Sequence, residues 1–374
     1  MNRLIDLCDI QYGYAFDSSN FTEDESYLPL VRIRDVKRGF SETYYSGEYP
    51  EEYVIHTGAL LIGMDGEFNI ARWKSRSALL NQRVCRIIAK ENTDEEYLRF
   101  ALVKALKEIE QKTAFVTVKH LSAKELNKMT LTVPPYEEQK RISEILVRIE
   151  NLITNYKEEL NQFDILIKSR FVEMFGTLDN PAQAYSRDSL KNLCTKITDG
   201  KHGGCAIEKG TGRYFIGARE IYGDKIHYDT APEINIVEFE KDYKRCNIEN
   251  GDFLIVNTGA TIGKSAIATD ARTEYTLLQK SVALLKVKQD LLNPVFLQWC
   301  YKINTKMYMV ESASAQPNLL LSRINATEIY VPDIRVQEQF ATFVHQIDKL
   351  KVEIQRNLEK TQLLFDSLMQ QYFG

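Results

Sequence analysis

The sequence predicts an α+β protein in which two β-rich globular parts alternate with two long antiparallel helices, as an internal pseudo-two-fold repeat. Three observations predict this fold class. A proline-led motif occurs twice, apolar residues recur every seven positions after each copy, and short apolar runs between glycine and polar turns precede each copy. Seven-residue spacing is typical of helices that pack on another long helix, and short runs between turns are typical of strands.

The repeat is anchored by "VPPYEEQ" at 133–139 and "VPDIRVQ" at 331–337, which are 198 residues apart. Residues 131–176 align with 329–374 without a gap, and ten of these 46 positions are identical, whereas average composition predicts roughly three by chance. The identical pairs are Val133/Val331, Pro134/Pro332, Gln139/Gln337, Ile149/Ile347, Leu152/Leu350, Leu160/Leu358, Leu166/Leu364, Ser169/Ser367, Phe175/Phe373 and Gly176/Gly374. The sequence therefore predicts two related modules.

The first part of each module contains the apolar runs typical of strands, followed by a shorter helical stretch at 94–109 or 293–307. The runs are "LPLVRIRDV", "ALLIGM", "RVCRII", "RYFIGA", "DFLIVN" and "SVALLKV". Segments of the two parts also align, namely 58–68 with 251–261, 79–84 with 277–282 and 34–36 with 219–221. Glycines and apolar positions match while most polar positions differ, so the scaffold is repeated and the surface is not.

The second part of each module is predicted to be one long helix. From Glu137 to about Val172, positions 142, 149, 156 and 163 and positions 146, 153, 160 and 167 are all apolar, which predicts a helix roughly 50 Å long. The second copy places its seam at Phe340, Phe343, Ile347, Leu350, Ile354, Leu358 and Leu364, with Lys351 and Asn357 interrupting it. Two similar faces can pair about an approximate two-fold axis, and such a spacer suits a target with two half-sites.

Composition excludes several classes of protein. The chain has 44% hydrophobic and 27% charged residues and lacks both a membrane-length apolar run and a signal peptide, which predicts a cytoplasmic globular protein. A net charge of −4 carries no electrostatic indication of a nucleic-acid partner. The six cysteines are scattered and are expected to be small buried hydrophobes, and the five histidines suggest neither a metal cluster nor a catalytic triad.

Three motifs that resemble catalytic signatures lack essential residues. "VPPY" has Val133 where the N-P-P-Y motif of adenine methyltransferases needs a hydrogen-bond acceptor. "GATIGKS" has Thr258 where a phosphate loop needs its first glycine, and "PDIRVQEQ" lacks the lysine that follows the carboxylates of a metal-dependent nuclease. We therefore expect a non-catalytic chain without cofactor or metal.

Two variable heads alternating with two long helices, each introduced by a motif such as "LTVPPYEEQKRI" or "IYVPDIRVQEQF", resemble the specificity (S) subunit of type I restriction-modification enzymes over essentially the whole chain. "QEQFATFVHQIDK" and "TDGKH" at 198–202 also resemble that family, whereas the first-half "IQYGYAF" departs from it. The resemblance implies target recognition domains at 1–130 and 177–328, termed the first head and the second head, and conserved helical spacers at 131–176 and 329–374.

The resemblance also implies what the chain works with. Each head would contact one half of an asymmetric, bipartite double-stranded DNA sequence. Two methyltransferase subunits would dock through the helices, restriction subunits would join the full complex, and S-adenosylmethionine would belong to the partner methyltransferase. The S subunit itself would carry no active site. It would be the non-catalytic subunit of a complex with DNA adenine methyltransferase and restriction endonuclease activities.

Polar and basic positions beside the aligned strands and glycine turns are the candidate DNA contacts, because Arg and Lys suit guanine and phosphate while Asn and Gln suit adenine. They are Arg32, Arg34, Arg72, Lys74 and Gln82 in the first head and Lys201, His202, Arg219, Asn257, Lys264, Gln279 and Lys280 in the second. Arg34/Arg219 and Gln82/Gln279 are interpreted as recurring pairs with structural or phosphate roles. Two other classes stay open: a two-headed protein-interaction scaffold, and a divergent enzyme.

Overall fold

The computed structural model describes residues 1–112, 120–309 and 318–374, and these form two compact units. Unit 1 contains residues 1–157 and 356–374, and unit 2 contains residues 158–355. Each long helix contributes one half to each unit. The division into heads and spacers at 130, 176 and 328 stays a prediction. Within the described residues, no helix is long and apolar enough to cross a membrane.

Unit 1 combines short strands with helices of very different lengths. The strands are β1 (Asn2–Arg3), β2 (Cys8–Tyr12), β3 (Phe21–Thr22), β4 (Leu28–Val31), β5 (Tyr44–Tyr45), β6 (Val54–Ile55), β7 (Leu60–Gly63), β8 (Ile70–Arg72), β9 (Ala78–Leu80), β10 (Val84–Ala89) and β11 (Thr130–Leu131). The helices are α1 (Leu4–Leu7), α2 (Ile33–Arg38), α3 (Glu95–Lys112), α4 (Ala123–Lys128) and α5 (Tyr136–Phe175), with 3-10 turns at Ser18–Asn20 and Glu51–Tyr53.

Unit 2 continues the same numbering. Its strands are β12 (Arg187–Ser189), β13 (Cys194–Asp199), β14 (Tyr214–Ile216), β15 (Ile221–Tyr222), β16 (Lys225–Ile226), β17 (Phe253–Val256), β18 (Ser265–Ile267), β19 (Thr276–Leu278), β20 (Val282–Val287) and β21 (Glu328–Tyr330). Its helices are α6 (Leu190–Leu193), α7 (Ile236–Tyr243), α8 (Pro294–Ile303), α9 (Leu321–Ala326) and α10 (Ile334–Phe373), with 3-10 turns at Tyr228–Thr230, Thr273–Tyr275 and Thr305–Met307.

The four-stranded antiparallel sheets of the two heads have the same strand order, while their other sheets differ. The first head has the order β2-β10-β7-β8, and the second has β13-β20-β17-β18. The first head also has a five-stranded sheet in the order β3-β5-β4-β9-β6, and the second has the two-stranded sheets β14-β19 and β15-β16. Each head also contains a parallel pair, β4 with β9 and β14 with β19. In addition, β1 pairs with β11 as β12 pairs with β21. The predicted repeat of α+β heads is confirmed in the strand order of the four-stranded sheets.

All six apolar runs contain a strand, namely β4, β7, β10, β14, β17 and β20. The run "LPLVRIRDV" differs, because β4 ends at Val31 and α2 begins at Ile33. The Asp35 carboxylate accepts a hydrogen bond from the Arg32 backbone N–H at 2.9 Å, which caps the start of α2. Gly39, with φ 79°, ends that helix in the left-handed region.

The seam predicted along the first long helix is confirmed. Ile142, Leu146, Ile149, Ile153 and Ile167 are buried, and the three intervening seam residues are half-buried. The seam of α10 is only partly as predicted, because Leu350 and Leu364 are exposed. Leu350 and Leu364 lie seven and 21 residues after Phe343. The three residues therefore form a separate stripe beside the buried seam.

In unit 2 the two long helices are antiparallel. The Phe171 and Phe340 rings are 5.3 Å apart, and Lys351 Nζ lies 2.7 Å from Asp164 Oδ1. Moving back along α5 from residue 171 to 164 therefore means moving forward along α10 from 340 to 351. In unit 1 the end of α10 packs on the first head's core, where the Phe373 ring is 5.2 Å from that of Tyr97.

The motif glutamine makes the same buried connection in both modules. Gln139 Oε1 accepts from the Asp94 N–H at 2.9 Å, and its Nε2 donates to the Pro134 carbonyl at 2.9 Å. Gln337 accepts from the Asn293 N–H at 2.9 Å and donates to the Pro332 carbonyl at 2.8 Å. Because Asp94 and Asn293 cap α3 and α8, each glutamine joins the start of a short helix to the start of a long one.

Five of the cysteines are buried and Cys205 is half-buried, and all six are free thiols. Burial raises the pKa of the Cys8, Cys85 and Cys194 thiols to about 12. A thiol with a raised pKa is a weak nucleophile and a weak metal ligand. The expectation that these residues act as small buried hydrophobes is confirmed for the five.

Candidate nucleic-acid interface

The second head has a recess of about 400 Å³ at the ends of its strands. Three of the predicted contact residues, Lys201, Gln279 and Lys280, line it. The other lining residues are Gly203, Thr258, Ser281 and Asn318. The other four, His202, Arg219, Asn257 and Lys264, are outside this group. Ammonium, amide and hydroxyl groups are those that contact base edges and phosphates, so the recess has the chemistry of a nucleic-acid surface.

Gly200 allows two segments to meet behind the recess. The Lys201 N–H donates to the Leu278 carbonyl at 2.7 Å, and the Lys280 N–H donates to the Lys201 carbonyl at 2.9 Å. A Cβ at position 200 would lie 2.1 Å from the Leu278 oxygen, so a side chain there would collide with backbone. The glycine of "TDGKH" is therefore required by this close approach.

The Lys201 ammonium is already held within the protein. Its Nζ lies 2.6 Å from the Asp242 carboxylate and 3.2 Å from that of Glu238, and 18% of the side chain is exposed. The hydrogen bond that Lys201 donates to Asp242 raises the pKa of Lys201 above its ordinary value, so the group is a fixed positive charge. Lys201 fits a role in holding the segment at the wall of the recess better than a mobile phosphate contact.

The rest of "TDGKH" is organised by Arg245. Its Nε donates to the carbonyls of Asp199 and Gly200, each at 3.0 Å, and its guanidinium also bonds the Asp199 carboxylate. His202 Nε2 lies 3.2 Å from the other oxygen of that buried carboxylate, while about half of the histidine side chain is exposed. His202 thus remains accessible beside a rigid loop.

The other predicted residues of the second head differ in exposure. Asn257 is buried, and its backbone bonds Ser281 at 3.0 Å and Leu319 at 2.7 Å. Gln279 packs its amide over Gly217, where a Cβ would lie 2.3 Å from Gln279 Oε1. The exposed members of the set are Arg219, Lys264 and Lys280.

The predicted residues of the first head also divide into one that is paired within the protein and four that are exposed. Arg72 donates to the Gly58 carbonyl at 2.6 Å and to Glu95 at 2.7 Å, and it also bonds Glu96. Its guanidinium therefore ties β8 to α3. The exposed residues are Arg32, Arg34, Lys74 and Gln82.

Several backbone hydrogen bonds around the recess have equivalents in the first head. The Asn257 N–H donates to Ser281 at 3.0 Å, as the Met64 N–H donates to Arg83 at 2.9 Å. Leu319 and Leu121 each donate at 2.7 Å to the carbonyls of Asn257 and Met64, respectively. Bridges join Thr258 with Asn318 and Lys201 with Gln279 in the second head. Their first-head equivalents are Asp65 with His120 and Tyr14 with Asn81.

These equivalences correct one interpretation and support another. Asn81 occupies the position of Gln279, so Gln82 corresponds to Lys280, and the pairing of Gln82 with Gln279 is wrong by one residue. Arg34 and Arg219 do correspond. The Glu220 carboxylate accepts from the N–H of Gly217 at 2.9 Å, as Asp35 accepts from the N–H three residues before it.

Several residues of this surface were not singled out from the sequence. They are Thr258, Ser281 and Asn318 in the second head and Tyr14, Asp65, Asn81, Arg83 and His120 in the first. The alignment of 79–84 with 277–282 already contains Asn81, Arg83 and Ser281. His120 and Asn318 share the 198-residue offset of the proline motif. In the described part of the chain, no group of three His, Cys, Asp or Glu side chains could hold a metal ion.

The chain is similar to known DNA specificity proteins over most of its length. The family of type I restriction modification DNA specificity domains matches residues 1–162 and 191–363. The type I restriction enzyme EcoBI specificity subunit of Escherichia coli is 28% identical over 401 aligned positions, covering 98% of this chain and 84% of that protein. The MjaVIII specificity subunit of Methanocaldococcus jannaschii is 19% identical, covering 91% and 83%.

Solved structures share the fold. The crystal structure of the type I restriction-modification system S subunit from M. genitalium has a TM-score of 0.63 at 15% identity, covering 100% of this chain and 95% of that one. A chain from a structure of type I restriction-modification complex assembly has a TM-score of 0.55 at 17% identity, covering 99% and 96%.

The two heads share the order of their four-stranded sheets and equivalent backbone hydrogen bonds at the strand ends, and they differ in the polar side chains there. The chain belongs to the type I restriction modification DNA specificity family, and it is a DNA sequence specificity subunit.

Proposed function

We propose that this chain binds an asymmetric DNA sequence in two parts, one part through each head, and brings methyltransferase and restriction subunits to that sequence. In this proposal the chain performs no chemistry, and S-adenosylmethionine is bound by the methyltransferase partner. The target is non-palindromic because the two heads present different side chains.

The observation that carries the proposal is the contrast between backbone and side chains at the strand ends. Equivalent backbone hydrogen bonds in the two heads agree within 0.1 Å, at 3.0 and 2.9 Å for the first pair and 2.7 Å for the second. At the same positions the first head has Arg83 where the second has Ser281, and Asp65 where the second has Thr258. A conserved support with altered donors and acceptors is suited to two different base sequences.

The predicted contact residues are assigned two kinds of role within this proposal. The exposed residues contact DNA directly, whether phosphate or base edges. They are Arg32, Arg34, Lys74 and Gln82 in the first head and His202, Arg219, Lys264 and Lys280 in the second. Arg72, Lys201, Asn257 and Gln279 hold the supporting segments, because their polar groups are buried or already paired.

The docking of two methyltransferase subunits is supported by exposed leucines at repeat-equivalent positions. Leu152 and Leu350 are 46% and 47% exposed, and Leu166 and Leu364 are 46% and 51% exposed. Each compact unit contains one leucine of each pair. Exposed apolar side chains on a regular helix stripe are typical of an interaction surface, and its double occurrence fits two copies of one partner.

The experiment is a selection from random double-stranded DNA by the full chain in complex with its methyltransferase subunits, at physiological salt. The proposal predicts two enriched sequence blocks of different composition at a fixed separation. Physiological salt is essential because phosphate contacts alone produce non-specific binding at low salt. Partner binding without any enriched sequence would instead favour the interaction scaffold.

A further inference from the structure

We infer that Asp65, Arg83 and His120 form the base-reading cluster of the first head, and that this cluster recognises guanine in the half-site bound there. The inference rests on the proposed function, since it assigns residues within the same DNA surface. None of the three was among the contacts predicted from the sequence.

The three side chains form one connected group on the surface. The Asp65 carboxylate bonds His120 Nδ1, and its second oxygen lies 3.4 Å from Arg83 Nε. Arg83 Nη1 is 3.4 Å from His120 Nδ1. Asp65 is the least exposed member, at 22%, whereas Arg83 and His120 are 51% and 45% exposed. Asp65 therefore holds two donors that both face solvent.

The position of the cluster is what connects it with DNA. Asp65, Arg83 and His120 occupy the places of Thr258, Ser281 and Asn318, which line the recess of the second head. The neighbouring Tyr14 and Asn81 occupy the places of Lys201 and Gln279, which also line that recess. The same surface thus occurs once in each head, with an arginine in one and a hydroxyl in the other.

Guanine is the base that this chemistry favours. A guanidinium can donate two parallel hydrogen bonds to guanine O6 and N7, which is the commonest specific contact in the major groove. With Nε turned to Asp65 and one Nη1 hydrogen turned to His120, the guanidinium still has one N–H on Nη1 and two on Nη2 for a base. A half-exposed ion pair contributes little to stability, so a purely structural role would explain the cluster poorly.

The test compares base preferences of the full chain in complex with its methyltransferase subunits, using the same random DNA selection. Arg83→Ser places the second head's residue in the first head. We expect one guanine position in one half-site to lose about 5- to 100-fold of its preference, while the other half-site is unchanged. Arg83→Lys, which keeps the charge but not the paired donors, should lose most of that preference as well.

Lys90→Ser is the matched control, because Lys90 follows the opposite end of β10 in the same head and is about as exposed as Arg83. It removes the same charge and should lower affinity evenly without changing any base preference. If Arg83→Ser leaves the guanine preference intact, or lowers binding evenly as Lys90→Ser does, the inference is wrong.

A variant designed to gain a base preference tests the cluster in a way that loss of folding cannot imitate. Thr258→Asp, Ser281→Arg and Asn318→His together transfer the cluster to the second head. We expect a new guanine preference in the second half-site, and its absence in a folded variant would count against the cluster. A wild-type complex that selects no two-block sequence would overturn the proposed function itself, which is a different result from an unaltered preference in the variants.

Discussion

Gln139 and Gln337 explain why the proline-led motif is repeated with its glutamine intact. Each side chain is almost completely buried and bonds groups from two helix starts at once. Leaving such groups unpaired in the core costs free energy because they cannot bond water instead. The motif is thus a structural joint between the short helix of a head and the long helix that follows it.

Gln337→Leu should lower the free energy of unfolding by about 1–3 kcal/mol, because the Asn293 N–H and two carbonyls lose their partner. The measurement is the shift of the denaturant midpoint of the full chain. Gln346→Leu, an exposed position on the same helix, is the control and should change stability by less than roughly 0.5 kcal/mol. Equal effects of the two substitutions would show that the buried connection contributes nothing.

A second residue-scale feature is the network of Arg72, Glu96, Arg99 and Glu150 in unit 1. Arg99 donates to Glu96 and to Glu150, each at 2.6 Å, and Arg72 also bonds Glu96. Burial alone would raise the pKa of Glu96, but the hydrogen bonds and charges of Arg99 and Arg72 outweigh it. The pKa therefore lies below its ordinary value of 4.5.

A lowered folded-state pKa stabilises the fold above the ordinary pKa, and that contribution is lost as pH falls through the folded pKa. Glu96→Gln should therefore be less stable than wild type at pH 7. We expect the difference in melting temperature to shrink as the pH is lowered below about 4.5, the ordinary pKa, and onward through the lowered value. Glu91→Gln, an exposed glutamate of the same head, should show no such trend. A Glu96→Gln difference that stays constant with pH would contradict this account.

At this scale the sequence singled out basic residues beside strands but could not show their partners. Arg72 and Lys201 were predicted as DNA contacts because they are basic residues beside strands. Their acidic partners come from other elements, α3 in one case and α7 in the other. Only the folded structure brings such charges together, so exposure and pairing could not be inferred from local sequence.

Among the elements, the long helices were the most predictable, because their apolar pattern continues over many turns. The prediction from Glu137 to about Val172 compares with the observed Tyr136–Phe175. The short elements were less predictable. The six-residue helix α2 depends on the Asp35 cap and on Gly39, and both signals are short. Leu350 and Leu364 were assigned to the seam because apolar spacing alone does not distinguish two adjacent stripes.

The exposed stripe on the long helices leads to a prediction about assembly. Leu152→Asp with Leu364→Asp changes the two stripe leucines of unit 1. In the proposed complex this should release one of two methyltransferase subunits, since a carboxylate opposes burial in an apolar contact. The mass of the complex by light scattering is the measurement. Leu166→Asp with Leu350→Asp should release the other subunit.

Asn151→Asp supplies the control for this pair of variants, because it introduces the same charge at an exposed position beside the stripe. It should leave the mass of the complex unchanged. The melting temperature of each leucine variant should also stay close to wild type, since these side chains are already exposed. A complex of full mass with both pairs substituted would contradict docking at this stripe.

For the whole molecule, the duplication was visible in the sequence because glycines and apolar positions are conserved between the modules. The aligned segments 79–84 and 277–282 already place Arg83 opposite Ser281, but the pairing of Gln82 with Gln279 departed from that alignment by one residue. The alignment could not show that Arg83 lies on one surface with Asp65 and His120. Backbone hydrogen bonds confirm the register of the alignment, since they are equivalent in the two heads whatever the side chains are.

The central claim is that each head selects one half of a two-part target. The most direct measurement is a genome-wide map of methylated adenines in cells that express the methyltransferase partner. The cells would carry the wild-type chain, no chain, or a chain whose residues 1–112 come from another family member. We predict methylation at one asymmetric two-part sequence, lost without the chain, with only one half altered by the replacement. A map that is unchanged without the chain, or in which the replacement alters both halves, would contradict the account.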